Sequence, residues 1–343
     1  MQTKKTKKSA NRVIICIMTM LFSVLSTGMH AQNTMTREHL PARKTVTQDG
    51  LRTQISHLCD SLMEGRGSGT KGNALAAVYL HREFEKTGLL RFGDSYASPL
   101  YLGPGKIGRN IIGMLPGSKN FTRDRYVIVG AHYDNLGVLD GNTYPGADSN
   151  ASGVTAMLNI AGMMTAFRNL GKSHDSNVIF VAFDGKEHNM AGSKALWRLI
   201  ENGWLTDPQS GKKITRDKIA LMVNIDQIGC TLSPLKSGRK DYIIMLGSNS
   251  LKPIKRDMLG ICNRMFAIDM EIDLTYYGSR NFTQMFYRLS DQRTFIDNGI
   301  PAVLFTSGIT MNTNKIWDTA DTIDYEILQK RIFLIYHWLD KML

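Results

Sequence analysis

Four short segments of the sequence contain side chains that commonly bind metal ions. They hold His132 with Asp134, then Asp148, Glu187 and Asp226. An imidazole nitrogen combined with aspartate and glutamate oxygens is a ligand set typical of zinc. Taken singly, each residue has an ordinary explanation, such as a helix N-cap for Asp148. Several carboxylates in one place would repel each other unless a cation neutralised them, so the set predicts a metal site.

Apolar, largely β-branched runs come directly before three of these segments. Residues 126–130 precede His132, residues 178–183 precede the segment with Glu187, and residues 219–225 precede Asp226. Such runs predict buried strands of a parallel sheet. In open α/β sheets, ligands bind beyond the carboxyl ends of the strands, near a switch in strand order. The candidate ligands are therefore expected at one edge of the sheet.

The rest of the chain continues the alternation of strands and helices. This pattern predicts an α/β fold, a mostly parallel twisted sheet with helices on both faces. One domain is expected over residues 51–343, preceded by a flexible polar arm over residues 32–50. The further strands are predicted at 110–115, 242–246 and 301–305, and the helices at 51–63, 72–88, 151–169, 191–200 and 325–341.

The first 31 residues have the pattern of a secretory signal peptide. A basic head, Lys4 to Arg12, contains no acid and is followed by an almost wholly apolar stretch from Val13 to Met29. This pattern predicts export to the periplasm or the medium, with cleavage after Ala31. The alternative is a retained anchor, for which this stretch would be at the short limit for a membrane span.

Composition argues against several other classes of protein. The net charge is +12, and without the five basic residues of the signal it is 12 − 5 = +7. Because these charges are scattered and form no basic run, nucleic-acid binding is not expected. No later stretch is apolar enough for a bilayer, so no membrane contact is expected after signal removal. Cys59, Cys230 and Cys262 lack CxxC spacing, which argues against a thiolate zinc site and leaves one disulfide possible.

Four segments carry a resemblance to a known family. They are 130–134 (GAHYD), 146–153 (GADSNASG), 183–187 (FDGKE) and 224–226 (NID), and they resemble the M28 family of zinc aminopeptidases in order and spacing. The resemblance extends over roughly residues 50–340. Supporting stretches are residues 63–66 (MEGR), 108–110 (GRN), 290–291 (SD) and 299–302 (GIPA).

The resemblance implies two zinc ions and a peptide or peptide-like ligand. His132 and Asp226 would bind the first zinc, Asp148 would bridge both ions, and Glu187 would bind the second. Asp134 would accept a hydrogen bond from His132 and orient its ring.

Two family positions are altered in this chain. Lys186 stands where the family has its general-base glutamate, and an ammonium cannot accept a proton from a metal-bound water. Trp317 stands where the family has its last metal-binding histidine, and Asp318 follows as a replacement carboxylate that could bind instead. We expect one zinc, with two possible, and the Lys186 ammonium in place of the second ion.

These alterations leave the question of enzymatic activity open between three hypotheses. The first is a degenerate family member, a possible pseudoenzyme of low or no peptidase activity. The second is an active one-zinc aminopeptidase in which Glu187 serves as a substitute base. The third, ranked lowest, is a glutaminyl-cyclase-like transferase. A serine hydrolase is excluded because the sequence contains no GxSxG motif.

Overall fold

A computed structural model describes residues 38–118, 124–235 and 237–343 of the chain. The predicted signal peptide, residues 1–31, and the start of the predicted arm lie outside the described residues. Ala42–Leu343 form one compact unit, which contains all the strands and helices named below.

A nine-stranded sheet and a separate two-stranded hairpin alternate with helices along the chain. The large sheet contains β1 to β4 and β7 to β11, and the hairpin contains β5 and β6. The strands are β1 Leu90–Arg91, β2 Ala97–Gly103, β3 Lys106–Leu115, β4 Tyr126–His132, β5 Gly137–Leu139, β6 Asn142–Tyr144, β7 Asn177–Phe183, β8 Ile219–Ile225, β9 Tyr242–Leu246, β10 Glu271–Asp273 and β11 Ala302–Thr306. The helices are α1 Gln48–Leu58, α2 Lys71–Thr87, α3 Ser152–Asn169, α4 Ala191–Glu201, α5 Pro253–Met265, α6 Arg280–Phe286, α7 Gln292–Asp297 and α8 Tyr325–Met342.

Four parallel strands form the centre of the sheet. The strand order is β1-β3-β7-β4-β8-β11-β9-β10, with β2 also paired to β3. Strands β7, β4, β8 and β11 are mutually parallel, whereas β3 and β9 join them antiparallel. The predicted α/β fold is confirmed, and its parallel part is the part that carries the candidate ligands.

Side-chain alternation along β4 creates a core on each face of the sheet. Val127 and Val129 pack with the cluster that includes α1, α3 and α8, while Ile128 packs on the opposite face with α4 and α7. Both faces are covered, which explains why β4 reads as a continuous apolar run in the sequence.

Two predicted helices have different bounds in the structure. The helix expected over residues 51–63 is α1, which begins at Gln48 and ends at Leu58, and a separate 3₁₀ segment, Ser61–Arg66, follows it. Asp60 lies between them with a non-helical backbone (φ −59°, ψ 148°), so one continuous helix was a wrong prediction. The helix expected over residues 72–88 is α2, Lys71–Thr87, whose buried face includes Ala76, Ala77, Leu80 and Phe84, whereas Val78 is 50% exposed.

The described part of the chain contains no helix with the length and apolarity needed to cross a bilayer. Its three cysteines, Cys59, Cys230 and Cys262, are all free thiols, so the disulfide considered from the sequence is not formed.

Candidate active site

The candidate ligands meet where the strand order switches. Strand β4 lies between β7 and β8, so its carboxyl end borders the ends of both. His132 is the last residue of β4, Asp184 follows the last residue of β7, and Asp226 follows the last residue of β8. The predicted convergence of these segments on one edge is observed.

His132 and Asp226 form a buried pair at the centre of this edge. The Nε2 atom of His132 lies 3.3 Å from Oδ1 of Asp226, and its Nδ1 lies 3.0 Å from the carbonyl oxygen of Asp134. Burial favours the neutral ring, but the Asp226 carboxylate outweighs it and raises the pKa of His132 to about 10. Burial likewise opposes the Asp226 charge, yet His132 and Lys186 hold the pKa of Asp226 well below its usual range. The pair therefore exists as imidazolium and carboxylate.

Asp134 connects the end of β4 to the loop after β7. Its Oδ1 accepts a hydrogen bond from the Lys186 amide at 3.1 Å, and its Oδ2 accepts one from the Glu187 amide at 3.2 Å. The Asp134 carboxylate also lies 3.6 Å from Nδ1 of His132. Asp134 thus positions the ring and the backbone of both loop residues, close to its expected orienting role.

Ser68 links Asp134 to a second buried carboxylate, Asp184. Ser68 Oγ lies 3.1 Å from Asp134 Oδ2 and 2.8 Å from Asp184 Oδ1. Asn73 Nδ2 and the Arg109 amide donate to Asp184 at 3.0 and 2.8 Å. Burial and the nearby Asp134 charge raise the pKa of Asp184 above its usual value.

Asp148 lies in a short irregular segment, Ala147–Ala151, just before α3. Its Oδ1 accepts hydrogen bonds from the amides of Gly229 and Cys230 at 2.8 and 3.1 Å. Its Oδ2 is buried and has no hydrogen-bond partner among the described residues. Burial raises the pKa of Asp148. The side chain therefore keeps one oxygen for a further donor or a cation.

Trp317 and Asp318, the two residues at the expected last ligand position, have different structural roles. Trp317 is 55% exposed. Asp318 is buried and accepts hydrogen bonds from the amides of Asp148 and Ser149 at 2.8 and 3.1 Å. Burial and the Asp148 charge raise the pKa of Asp318 to about 6. A role for Asp318 as a metal ligand would require it to give up both amides.

Lys186 places a positive charge among the site carboxylates. Its Nζ lies 3.1 Å from Oε1 of Glu187. Burial opposes this charge, but the carboxylates of Asp226 and Glu187 raise the pKa of Lys186 above its usual value. The amine is therefore protonated and has no lone pair with which to act as a base.

The donor set fits one metal ion better than two, but it is not assembled as a metal centre. Within the described ranges, no group of three or more His, Cys, Asp or Glu side chains is close enough to hold a metal. His132 and Asp226 are together, and the unbonded Oδ2 of Asp148 is a third oxygen of suitable chemistry. For a second ion only Glu187 remains, and it is paired with Lys186.

Sequence reasoning missed several residues that hold this site in place. Asn150 Nδ2 donates to the carbonyl oxygens of His132 and Ile225, at 3.3 and 2.9 Å, and so joins the ends of β4 and β8. Asp291 is a different case: it is fully buried, neither carboxylate oxygen has a hydrogen-bond partner among the described residues, and burial raises its pKa to about 6. Asn150 and Asp291 both occur in the motifs quoted from the sequence. Their presence in these motifs pointed to the site, although their surroundings in the fold were not predictable.

A cavity of about 510 Å³ opens beside Lys186. Its lining includes the polar side chains of Lys186, Glu187, Asp226 and Gln227. It also includes the apolar side chains of Tyr276, Phe286, Leu289, Leu304 and Ile309. Its volume is in the range typical of small-molecule and peptide side-chain sites.

Comparison with known proteins identifies the family. Residues 110–339, more than half of the chain, match the model of peptidase family M28. The chain belongs to peptidase family M28.

One curated relative and two solved structures that resemble this chain share 30% sequence identity or less with it. A BOS complex subunit, NCLN of Gallus gallus, is 30% identical over 106 residues, which are 30% of this chain and 17% of that protein. The zinc aminopeptidase BSAP of Bacillus subtilis has a TM-score of 0.61 at 15% identity, covering 86% of this chain and 95% of that one. Glutaminyl cyclase of Porphyromonas gingivalis has a TM-score of 0.58 at 16% identity, covering 87% and 99%. These structural likenesses establish the shared fold.

Proposed function

We propose that this M28 protein is a catalytically degenerate member of its family, with low or no peptidase activity, that binds peptide-like ligands. The observation that supports this most directly is the Lys186–Glu187 ion pair at 3.1 Å. A protonated amine occupies the family's base position, and it is paired with a carboxylate that would otherwise face a second metal ion.

The same ion pair weakens the alternative of an active one-zinc aminopeptidase. Zinc, which the likeness to zinc aminopeptidases suggests, would polarise a carbonyl group and activate water when bound. Glu187 would then have to accept the proton, but its Oε1 atom already accepts a hydrogen bond from the Lys186 ammonium at 3.1 Å. General-base assistance is worth roughly 10²–10⁴-fold, so its loss predicts a slow enzyme.

A glutaminyl-cyclase-like activity is supported only by the shared fold. That reading needs the aspartate, glutamate and late-histidine set, and here the late position is the half-exposed Trp317. The name of the relative NCLN describes a subunit of a complex, and its similarity spans under a fifth of that protein. A binding role is consistent with this likeness.

We further propose that the protein is exported and acts in the periplasm or the medium, with the signal removed. The basic head and apolar run of residues 1–31 support this proposal.

Restoring the two altered positions tests the degeneracy proposal. We expect the double variant Lys186→Glu/Trp317→His to hydrolyse amino-acyl substrates at least about tenfold faster than the parent chain in the presence of zinc, because it regains both a base and a ligand. Initial rates on a panel of amino-acyl substrates measure this.

The matched control is Lys186→Met/Trp317→His, which restores the ligand but supplies no base. An equal gain in both double variants would show that the base is not what is missing. Efficient, zinc-dependent hydrolysis by the unaltered chain would contradict the proposal and favour the one-zinc aminopeptidase.

A further inference from the structure

Both carboxylates that line the cavity already have a nitrogen partner within the protein. Glu187 Oε1 lies 3.1 Å from Lys186 Nζ, and Asp226 Oδ1 lies 3.3 Å from His132 Nε2. A ligand with a free amino group would have to compete with Lys186 or His132 for these carboxylate oxygens. The polar residues of the cavity therefore favour a ligand other than an ammonium group.

Hydrogen-bond donors in the cavity, by contrast, have N–H groups left with which to bind a ligand. The Lys186 ammonium has three N–H groups. Within the described part of the chain, Glu187 Oε1 is the one hydrogen-bond acceptor identified for them. Its side chain is 17% accessible and lines the cavity. Lys186 can thus donate to an oxygen atom of a bound molecule.

Gln227 provides a second donor in the lining of the same cavity. The Thr313 hydroxyl accepts a hydrogen bond from the Thr310 amide at 3.1 Å, so its own hydrogen is free to bind the side-chain oxygen of Gln227 at 2.7 Å. This contact orients the Gln227 amide, and the NH₂ group is left as its donor. Gln227 also lines the cavity.

We propose that this cavity binds a ligand in which a carboxylate adjoins an apolar side chain, as in the C-terminal residue of a peptide. Lys186 and Gln227 donate to the carboxylate, and the wall formed by Tyr276, Phe286 and Leu289 covers the apolar side chain. This inference rests on the proposed function, because it takes Lys186 as a fixed cation. It goes further by naming the chemistry that the cation recognises.

Calorimetric titration with three small probes tests the proposal on the full mature chain. N-acetyl-L-phenylalanine has the carboxylate, N-acetyl-L-phenylalaninamide replaces it with a neutral amide, and L-phenylalaninamide has a free amino group instead. We expect the carboxylate to bind at least about tenfold more tightly than either other probe, since a hydrogen bond to a charged partner is lost in both. The titrations are run in EDTA so that no metal ion can bind the carboxylate.

Lys186→Met removes the charge and keeps the length of the side chain. It should lower the affinity for N-acetyl-L-phenylalanine about tenfold and leave that for the neutral amide unchanged. Lys194→Met is the matched control, because Lys194 is a lysine on α4 that does not line this cavity. It should leave the preference for the carboxylate intact.

Several outcomes would overturn the inference. They are equal binding of carboxylate and amide, tightest binding of L-phenylalaninamide, no binding of any probe, or a preference that persists in Lys186→Met. Tighter binding of octanoate than of N-acetyl-L-phenylalanine would exclude a peptide terminus and indicate a fatty acid. None of these results changes the hydrolysis rates, so the proposed low peptidase activity stands or falls separately.

Discussion

Two cations of different kinds, the His132 imidazolium and the Lys186 ammonium, offset the charges of Asp226 and Glu187. These four charges balance each other in two pairs, and the carboxylates of Asp134 and Asp148 lie outside that balance. A zinc ion bound at Nε2 of His132 would have to displace the proton that now bonds to Asp226. Zinc binding and proton release are therefore linked at this one ring.

The pKa of His132 predicts how stability depends on pH. Because Asp226 raises this pKa from 6.5 to about 10 on folding, its contribution is complete below pH 6.5 and is lost as pH rises through about 10. In EDTA, the free energy of unfolding should fall between pH 6.5 and 10. Urea unfolding at stepped pH measures this.

Asp226→Asn should flatten that decline, because it removes the charge that keeps His132 protonated. Asp257→Asn, an exposed change on α5, is the control and should keep the parent slope. An unchanged slope in Asp226→Asn would show that the pair does not govern the decline.

At the scale of elements, Asp318 fixes the backbone of the segment Ala147–Ala151. Asp318 accepts the amides of Asp148 and Ser149, and its own carbonyl oxygen accepts the Ala147 amide at 3.0 Å. Three consecutive amides are thus held by one residue. The loop that contains Asp318 therefore fixes the loop that carries Asp148.

Removing this carboxylate should destabilise the protein. Asp318→Ala leaves two buried amides without their partner, which predicts a loss of about 2–4 kcal/mol in the free energy of unfolding. Urea unfolding at pH 7.5 measures the loss, with Asp321→Ala as the control because the Asp321 side chain is 95% exposed. The control should change stability by less than about 0.5 kcal/mol. Equal effects of the two substitutions would contradict the holding role.

The central strands were predictable from sequence because burial on both faces leaves an unbroken apolar run. The predicted run at 178–183 lies within β7, Asn177–Phe183, and the run at 219–225 coincides with β8. Helix α1 was extended too far because Leu62 continues the apolar spacing, yet it is 71% exposed. Local spacing carries no information about the non-helical backbone at Asp60, which separates α1 from the 3₁₀ segment Ser61–Arg66.

The site was predictable in its members and less so in its contacts. His132 and Asp226 are 94 residues apart, and strand ends alone placed them together. The bonds of Asn150, Asp184 and Asp318 were not foreseen, since each depends on side-chain directions across distant segments. The charged state of Lys186 also follows from its neighbours in space.

For the whole molecule, membership of family M28 and catalytic activity are separate questions. Residues 110–339 match the family model, whereas the sequence leads us to expect departures from the family's residues at Lys186 and Trp317. A fold tolerates such changes because the sheet is stabilised by its two apolar cores and not by the charges at its edge.

Export is a prediction about the whole chain. If residues 1–31 are a signal peptide, the intact mass of the protein recovered from bacteria should correspond to a chain beginning at Gln32. Leu25→Arg places a charge in the apolar run and should leave the chain uncleaved. A full-length mass for the parent chain would contradict signal removal.

The contact of Ser68 with Asp134 and Asp184 has a consequence for hydrogen counting. One hydroxyl carries one hydrogen, yet it faces two carboxylates at 3.1 and 2.8 Å. Tyr133 repeats the situation, because its hydroxyl oxygen lies 2.9 Å from the Arg109 carbonyl and 3.1 Å from Asp184. One added proton on Asp184 would let it donate to Tyr133 while Tyr133 donates to Arg109 and Ser68 donates to Asp134. The network can therefore accept one proton, at Asp184. With that proton bound, the Ser68 hydroxyl donates its hydrogen bond to Asp134 alone, and Asp134 is the residue that orients His132.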